Sequence, residues 1–162
     1  MKGKKLILGL GMPVGFALAG ALVYMQVAGG AAAAPVKIAD PSPGQSGPML
    51  ALESRVVNLA PGGTYKYVKL GVSIEVRPKA ASFYALAAAD RTAEETLETG
   101  ALSAQLPFLY DRLGQAVSAK TSDELGTTDG RAALKTELVA AFKEILGEED
   151  VLGVFFTDFV MQ

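Results

Sequence analysis

The chain contains no cysteine and no histidine. Without thiols there is no disulfide framework and no thiolate metal site, so the fold has to stand on its core alone, whatever the redox environment. Without imidazole the commonest general base, the imidazole-activated Ser or Cys nucleophile and the usual zinc sites are missing as well. An enzyme built on this sequence would have only carboxylates, lysines and hydroxyls to work with. Clustered positive charge is also scarce. With Lys2, Lys4 and Lys5 set aside, 12 basic residues face 17 acidic ones, a balance of −5. Arg55, Lys66, Lys69, Arg77, Lys79, Arg112, Lys135 and Lys143 are scattered rather than grouped with aromatics. Such a surface does not suit a phosphate backbone, so nucleic acid is not an expected partner.

Charge is absent altogether from Leu6 to Val36. Residues 6–28 are rich in Leu, Val, Ala and Gly, and at about 1.5 Å per residue a helix of that length crosses a hydrocarbon core of about 30 Å. Leu6, Leu10, Leu18, Leu22 and Val23 supply its apolar surface. Lys2, Lys4 and Lys5 on one side only place residues 1–5 in the cytoplasm and everything after the span outside. The rival reading is a cleavable signal, for which Ala31–Ala34 offers small-residue cleavage sites. A signal's apolar region, however, runs only about 7 to 15 residues, which favours an uncleaved anchor. Both readings export the remainder. Gly11, Gly15 and Ala19 fall every four residues, the spacing that lets two membrane helices approach closely, although a Gly/Ala-rich segment also produces it by chance.

Residues 29–48 read as a flexible Ala-, Pro- and Gly-rich linker, and residues 49–162 as one α+β domain, a small sheet with helices on one side. Leu52 to Leu59 reads as a first strand, Pro61-Gly62-Gly63 as a tight turn, and Tyr65 to Val76 as a second strand, together an antiparallel hairpin. In the second strand Val68, Leu70, Val72, Ile74 and Val76 share one face. Ala80 to Gly100 reads as a short strand passing into a helix. Pro107 suits the first turn of a helix carrying Leu106, Leu109, Tyr110, Leu113, Ala116 and Val117. Thr121 or Ser122 can cap a short turn before Leu125. Thr128 can cap a helix that ends at Leu146 and Gly147, with Leu134, Leu138, Ala141, Phe142 and Ile145 as its apolar stripe. The ending, Val151 to Met161, alternates Val154, Phe156 and Val160 against Phe155, Thr157, Phe159 and Met161. A strand apolar on both faces belongs in the middle of a sheet or against a partner.

Chemistry-bearing groups are thin. Glu148, Glu149 and Asp150 follow a helix stop, lack EF-hand spacing and read as a solvated loop rather than a Ca²⁺ site. Pro61-Gly62-Gly63 lacks the Lys and Ser/Thr of a phosphate loop. Ser118 and Lys120 are close in sequence, but a Ser–Lys pair needs a buried lysine. No catalytic residue, cofactor or metal is expected. Phe156, Thr157, Asp158 and Phe159 are the candidate oligomer or partner contacts, with Asp158 either facing a partner or satisfied by backbone N–H groups at an edge.

The lysine-flanked anchor, Tyr67-Val68-Lys69-Leu70, Leu106-Pro107, Ser122-Asp123-Glu124-Leu125, the helix through Leu134 and Leu138, and above all Val154-Phe155-Phe156-Thr157-Asp158-Phe159-Val160-Met161-Gln162 resemble the flagellar basal-body-associated FliL family. That resemblance implies a non-catalytic, single-pass inner-membrane protein with a periplasmic domain of stomatin (SPFH) type. It further implies a homo-oligomeric ring, association with the MotA/MotB stator units and basal body, and support of torque and swarming. A periplasmic binding domain released by cleavage, or a stomatin-like scaffold of another membrane complex, are the alternatives. The anchor reading is checked by mass spectrometry of the N-terminus of C-terminally tagged protein. An intact Lys2 end in the membrane fraction is expected, and a mature end near Ala34 in the soluble periplasm overturns it.

Overall fold

A computed structural model describes residues 44–148 and 150–162. The anchor residues, the Gly11, Gly15 and Ala19 spacing and most of the linker lie outside the described residues. Among the described residues no helix is long and apolar enough to cross a membrane. The domain is α+β: β1 (Met49–Asn58), β2 (Tyr67–Val76), α1 (Ala88–Ala101), α2 (Leu106–Ser118), α3 (Ser122–Leu125), α4 (Thr128–Leu146) and β3 (Val151–Met161). The sheet order is β1-β2-β3, and both pairs are antiparallel.

Strict alternation fixes β2 at the centre. Val68, Leu70, Val72, Ile74 and Val76 are all buried, and they share one cluster with Leu109, Leu113 and Val117 of α2 and Leu134, Leu138 and Phe142 of α4. Burying a side chain of this size contributes about 1.5–3 kcal/mol, so the row along β2 is the main term holding helices to sheet. The hairpin turns at Gly62, whose φ of 109° is one that an L side chain rarely adopts. Pro48 and Gly47 are already part of the domain: the Pro48 carbonyl accepts from Val76 N–H, and Gly47 N–H donates to Glu75 Oε1.

The helices begin and end where local chemistry dictates. Pro107 sits in the first turn of α2, where a missing N–H costs nothing. Thr121 and Glu124 form a reciprocal capping box on α3. The cap of α4 is Thr127, one residue before the expected Thr128: its Oγ1 accepts from Gly130 N–H at 2.9 Å, and Thr128 is the first helical residue. The helix ends at Leu146, and Gly147 follows with a φ of 119°.

Three expectations are corrected. The described residues between Ala80 and Gly100 contain no strand. Phe83 is the one fully buried side chain there, held in a 3₁₀ turn over Phe83–Ala85, and the alanine-rich continuation favours the helix of α1 over a strand. Next, β3 lies at the edge of the sheet, which rules out the middle of a sheet, the first of the two placements expected for it. Last, its faces do not alternate throughout. The register shifts opposite Gly71 and Val72, so that Phe156 pairs with Val72 and Asp158 with Gly71, leaving Thr157 as an extra residue. Beyond that bulge the inward positions become Phe159 and Met161, which pack on the core, while Val160 turns out to 48% exposure.

Two glycines provide an internal contrast. A Cβ on Gly130 would lie 1.9 Å from the Glu124 carbonyl oxygen, where α3 abuts α4, whereas a Cβ on Gly114 of α2 meets nothing within 4 Å. Gly114→Ala is therefore expected to raise stability by about 0.5–1 kcal/mol. Gly130→Ala is expected to lower it by about 1–3 kcal/mol or more. Thermal unfolding of the two variants beside the wild type checks both signs.

Candidate functional site

Among the described residues the helices cover one face of the sheet and leave the other open. On the open face the strand register aligns Val56, Lys69 and Val160 in one row, and Ala51, Ser73 and Phe155 in another. Tyr67 continues the surface beside Asn58. Val56 is 68% exposed, Tyr67 46%, Phe155 45% and Val160 48%. Four large apolar or aromatic side chains on one uncovered face are unusual for a surface that meets only water, and they mark it as the candidate interaction surface.

Of the four residues singled out at the end of the chain, Thr157 and Asp158 belong to this face, while Phe156 and Phe159 point the other way. The rings of Phe156 and Phe159 lie 5.5 Å apart and pack on the core. Lys135 Nζ sits 5.1 Å from the centre of the Phe156 ring, and the Arg131 guanidinium 5.7 Å from that of Phe159, both from α4. The bulge divides the quartet, because an extra residue re-aims everything after it.

At the centre of the open face Gly71 leaves no room for a side chain. A Cβ there would lie 2.5 Å from Thr157 Oγ1 and 2.7 Å from Ser54 Oγ. Across this gap the Ser54 hydroxyl donates a short hydrogen bond to Asp158 Oδ2, and Lys69 Nζ lies 3.7 Å from the same oxygen. The Ser54 hydrogen bond, followed by the charge of Lys69, holds the Asp158 carboxyl below its ordinary pKa. Asp158 is thus engaged by a hydroxyl and an ammonium on the neighbouring strands, and its side chain remains 45% exposed.

At the far end of the hairpin Ser122 and Asp123 act as a latch. Ser122 Oγ accepts from Tyr65 N–H at 2.9 Å, and Asp123 Oδ1 accepts from Thr64 N–H at 3.1 Å. The Thr64 amide is the main reason the Asp123 carboxyl is held below its ordinary pKa. Ser118 and Lys120 are not brought together: Ser118 donates to the Gln115 carbonyl, while Lys120 Nζ pairs with Glu137 at 2.7 Å. That hydrogen bond raises the lysine pKa, the opposite of what a general base requires. Asp150 is paired with Lys79 at 2.6 Å. Among the described residues no group of three or more acidic side chains is placed to hold a metal ion. A cavity of about 290 Å³ opens between α1 and the ends of β2 and α4, lined by Val76, Leu97, Ala101, Leu102 and Leu146 with Glu98 at its wall.

The sequence pointed to Asp158 but not to Val56, Tyr67, Phe155 or Val160. The available signal was the pair of apolar residues Val56-Val57, which cannot both face the core of a half-covered sheet.

A family model described as flagellar basal body-associated protein FliL matches residues 49–162. A flagellar protein FliL of Aquifex aeolicus (strain VF5) is 30% identical over 107 residues, covering 66% of this chain and 56% of that protein. The chain thus spans little more than half the length of that curated relative.

The Ser54–Asp158–Lys69 contact carries a pH signature. A carboxylate whose folded pKa is depressed stabilises the fold above its unfolded pKa, roughly 3.9, and that contribution disappears as the pH falls through the lower folded value. The melting temperature of Asp158→Asn is accordingly expected to lie below that of the wild type at neutral pH. The gap should narrow once the pH drops below about 4, and a gap independent of pH would contradict the assignment.

Proposed function

We propose a function from one premise: the chain belongs to the FliL family of flagellar basal body-associated proteins. The protein is a non-enzymatic accessory of the flagellar motor. Residues 6–28 anchor it in the inner membrane, and its α+β domain, stomatin-like in type, stands in the periplasm beside the basal body. There it associates with the MotA/MotB stator units and, as a homo-oligomeric ring, favours their engaged state. The observation that carries the reading, beyond family membership, is the uncovered sheet face with Val56, Tyr67, Phe155 and Val160 exposed around Gly71. A protein without catalytic groups acts on a two-state partner through differential affinity, so it needs a surface rather than a pocket.

The open face is tested by Val56→Glu and Val160→Glu. Both positions are exposed, so the fold should be retained while a desolvated contact is lost. Partner binding is expected to weaken by about tenfold, on the order of 1.4 kcal/mol. In cells this should appear as fewer engaged stators and lower torque under load, at unchanged protein level. A deletion strain whose stator occupancy and torque match the wild type would sink the proposal.

A further inference from the structure

Between α4 and β3 lies a groove of about 440 Å³, lined by Thr128, Arg131, Ala132 and Lys135 of the helix and by Phe156 and Phe159 of the strand. Arg131 reaches the Phe159 ring, and Lys135, one helical turn further on, reaches the Phe156 ring, so the two elements run in opposite directions. Neither cation is answered by a carboxylate: the ion pairs among the described residues are Lys69–Asp158, Lys79–Asp150, Arg112–Glu144 and Lys120–Glu137. The groove borders a sheet edge that is open to pairing. As the last strand, β3 directs half of its backbone N–H and C=O groups away from β2, and its 11 residues include no proline, lysine or arginine to block a further strand. Its one charge, Asp158, is held on the open face by Ser54 and Lys69. The β1 edge is closed by comparison, because it bulges at Glu53 and Ser54 and the Tyr110 hydroxyl takes the Glu53 N–H at 2.8 Å.

We infer that this groove takes an extended segment of a different protein, which adds to β3 as a fourth strand and carries acidic side chains at alternate positions with apolar ones between them. The spacing carries the argument. Arg131 and Lys135 stand four residues apart on a helix, about 6 Å along its axis, and alternate residues of a strand are about 6.6 Å apart. Two carboxylates on the helix side of the added strand therefore meet the two cations in step. The residues between them turn to the open face beside Phe155 and Val160, which are 45% and 48% exposed. Main-chain pairing at the edge supplies affinity, and the alternating side chains supply selectivity. A second copy of this chain does not fit the groove. Its β1 has Glu53 as its only acid and its β3 has only Asp158, so neither strand offers two carboxylates two residues apart. The inference goes beyond the functional reading above and concerns a different surface.

The probe is a fluorescein-labelled peptide with the core Val-Glu-Val-Glu-Val, titrated with the full-length protein in detergent and followed by anisotropy. Saturable binding is expected, weakened at least tenfold when both glutamates become glutamine or when the two glutamates are made adjacent. N-methylating the valines or the glutamates should abolish binding for one set and spare the other, because only alternate amides face β3. Arg131→Glu combined with Lys135→Glu should weaken binding at least tenfold at a melting temperature near that of the wild type, and the core Val-Lys-Val-Lys-Val should restore it. Equal binding of the glutamine or adjacent-glutamate peptide overturns the inference, as does indifference to the charge reversal or no binding at about 1 mM peptide. So does loss of the bound peptide as the protein self-associates, or as phosphatidylglycerol is added at the peptide's own concentration, which would give the groove to a second copy or to lipid. Torque and stator occupancy are read separately through Val56→Glu and Val160→Glu, so either reading can fail without the other.

Discussion

At Gly71 three strands approach too closely for any side chain, and much of the domain's geometry follows from that. Both neighbours of β2 bulge opposite this residue, β1 at Glu53 and Ser54 and β3 at Thr157. Each bulge adds one residue and so exchanges inside for outside along the remainder of its strand. In β1 the inward sequence runs Leu50, Leu52 and then Val57; in β3 it runs Val154, Phe156 and then Phe159 and Met161. Without the shift in β3, Asp158 would point into the apolar layer under α4, where an unpaired carboxylate is untenable. With it, the carboxylate reaches Ser54 and Lys69 on the open face. The same step that keeps a charge out of the core puts a polar clamp across the centre of the sheet.

The clamp also shapes the surface. Gly71 and Ser73 are the smallest side chains of β2, and they form a low line down the middle of the open face, flanked by Val56 on one side and by Phe155 and Val160 on the other. A three-stranded sheet has little to resist twisting unless one face is packed. Here the packed face carries the row from Val68 to Val76, and the hairpin tip is latched to α3 through Ser122 and Asp123. The open face is therefore presented by a braced scaffold rather than by a loop.

How much of this could be read from the chain depended on whether a residue's neighbours in sequence decide its side. For β2 they do: five alternating aliphatic residues with no interruption give strand, face and burial at once. For α2 and α4 the three- and four-residue spacing, with Pro107 and Gly147 as punctuation, does the same. For β1 and β3 the deciding contact is across the sheet. No local pattern announces that Thr157 is supernumerary, because the cause is the missing side chain of Gly71, more than eighty residues earlier in the sequence. Strict alternation therefore grouped Val160 with Phe156 and hid half of the exposed surface. The two-sided apolarity of β3 was legible, but its meaning was not: one side packs on α4, the other is open, and the strand lies at an edge.

A surface of this kind constrains how an accessory protein can act on a motor. To move a partner from almost wholly disengaged to almost wholly engaged requires a difference in affinity of about 10⁴ between its two states, on the order of 5.5 kcal/mol. One face bearing four exposed apolar side chains, with a solvent-screened ion pair at its centre, is too little material for so large a discrimination in a single contact. Several copies touching one partner divide the requirement, because differential free energies add when the contacts are made together. On the proposed reading, a domain braced by its core, with Asp158 held within the sheet by Ser54 and Lys69, acts in multiples, each copy contributing a modest preference and the assembly supplying the switch.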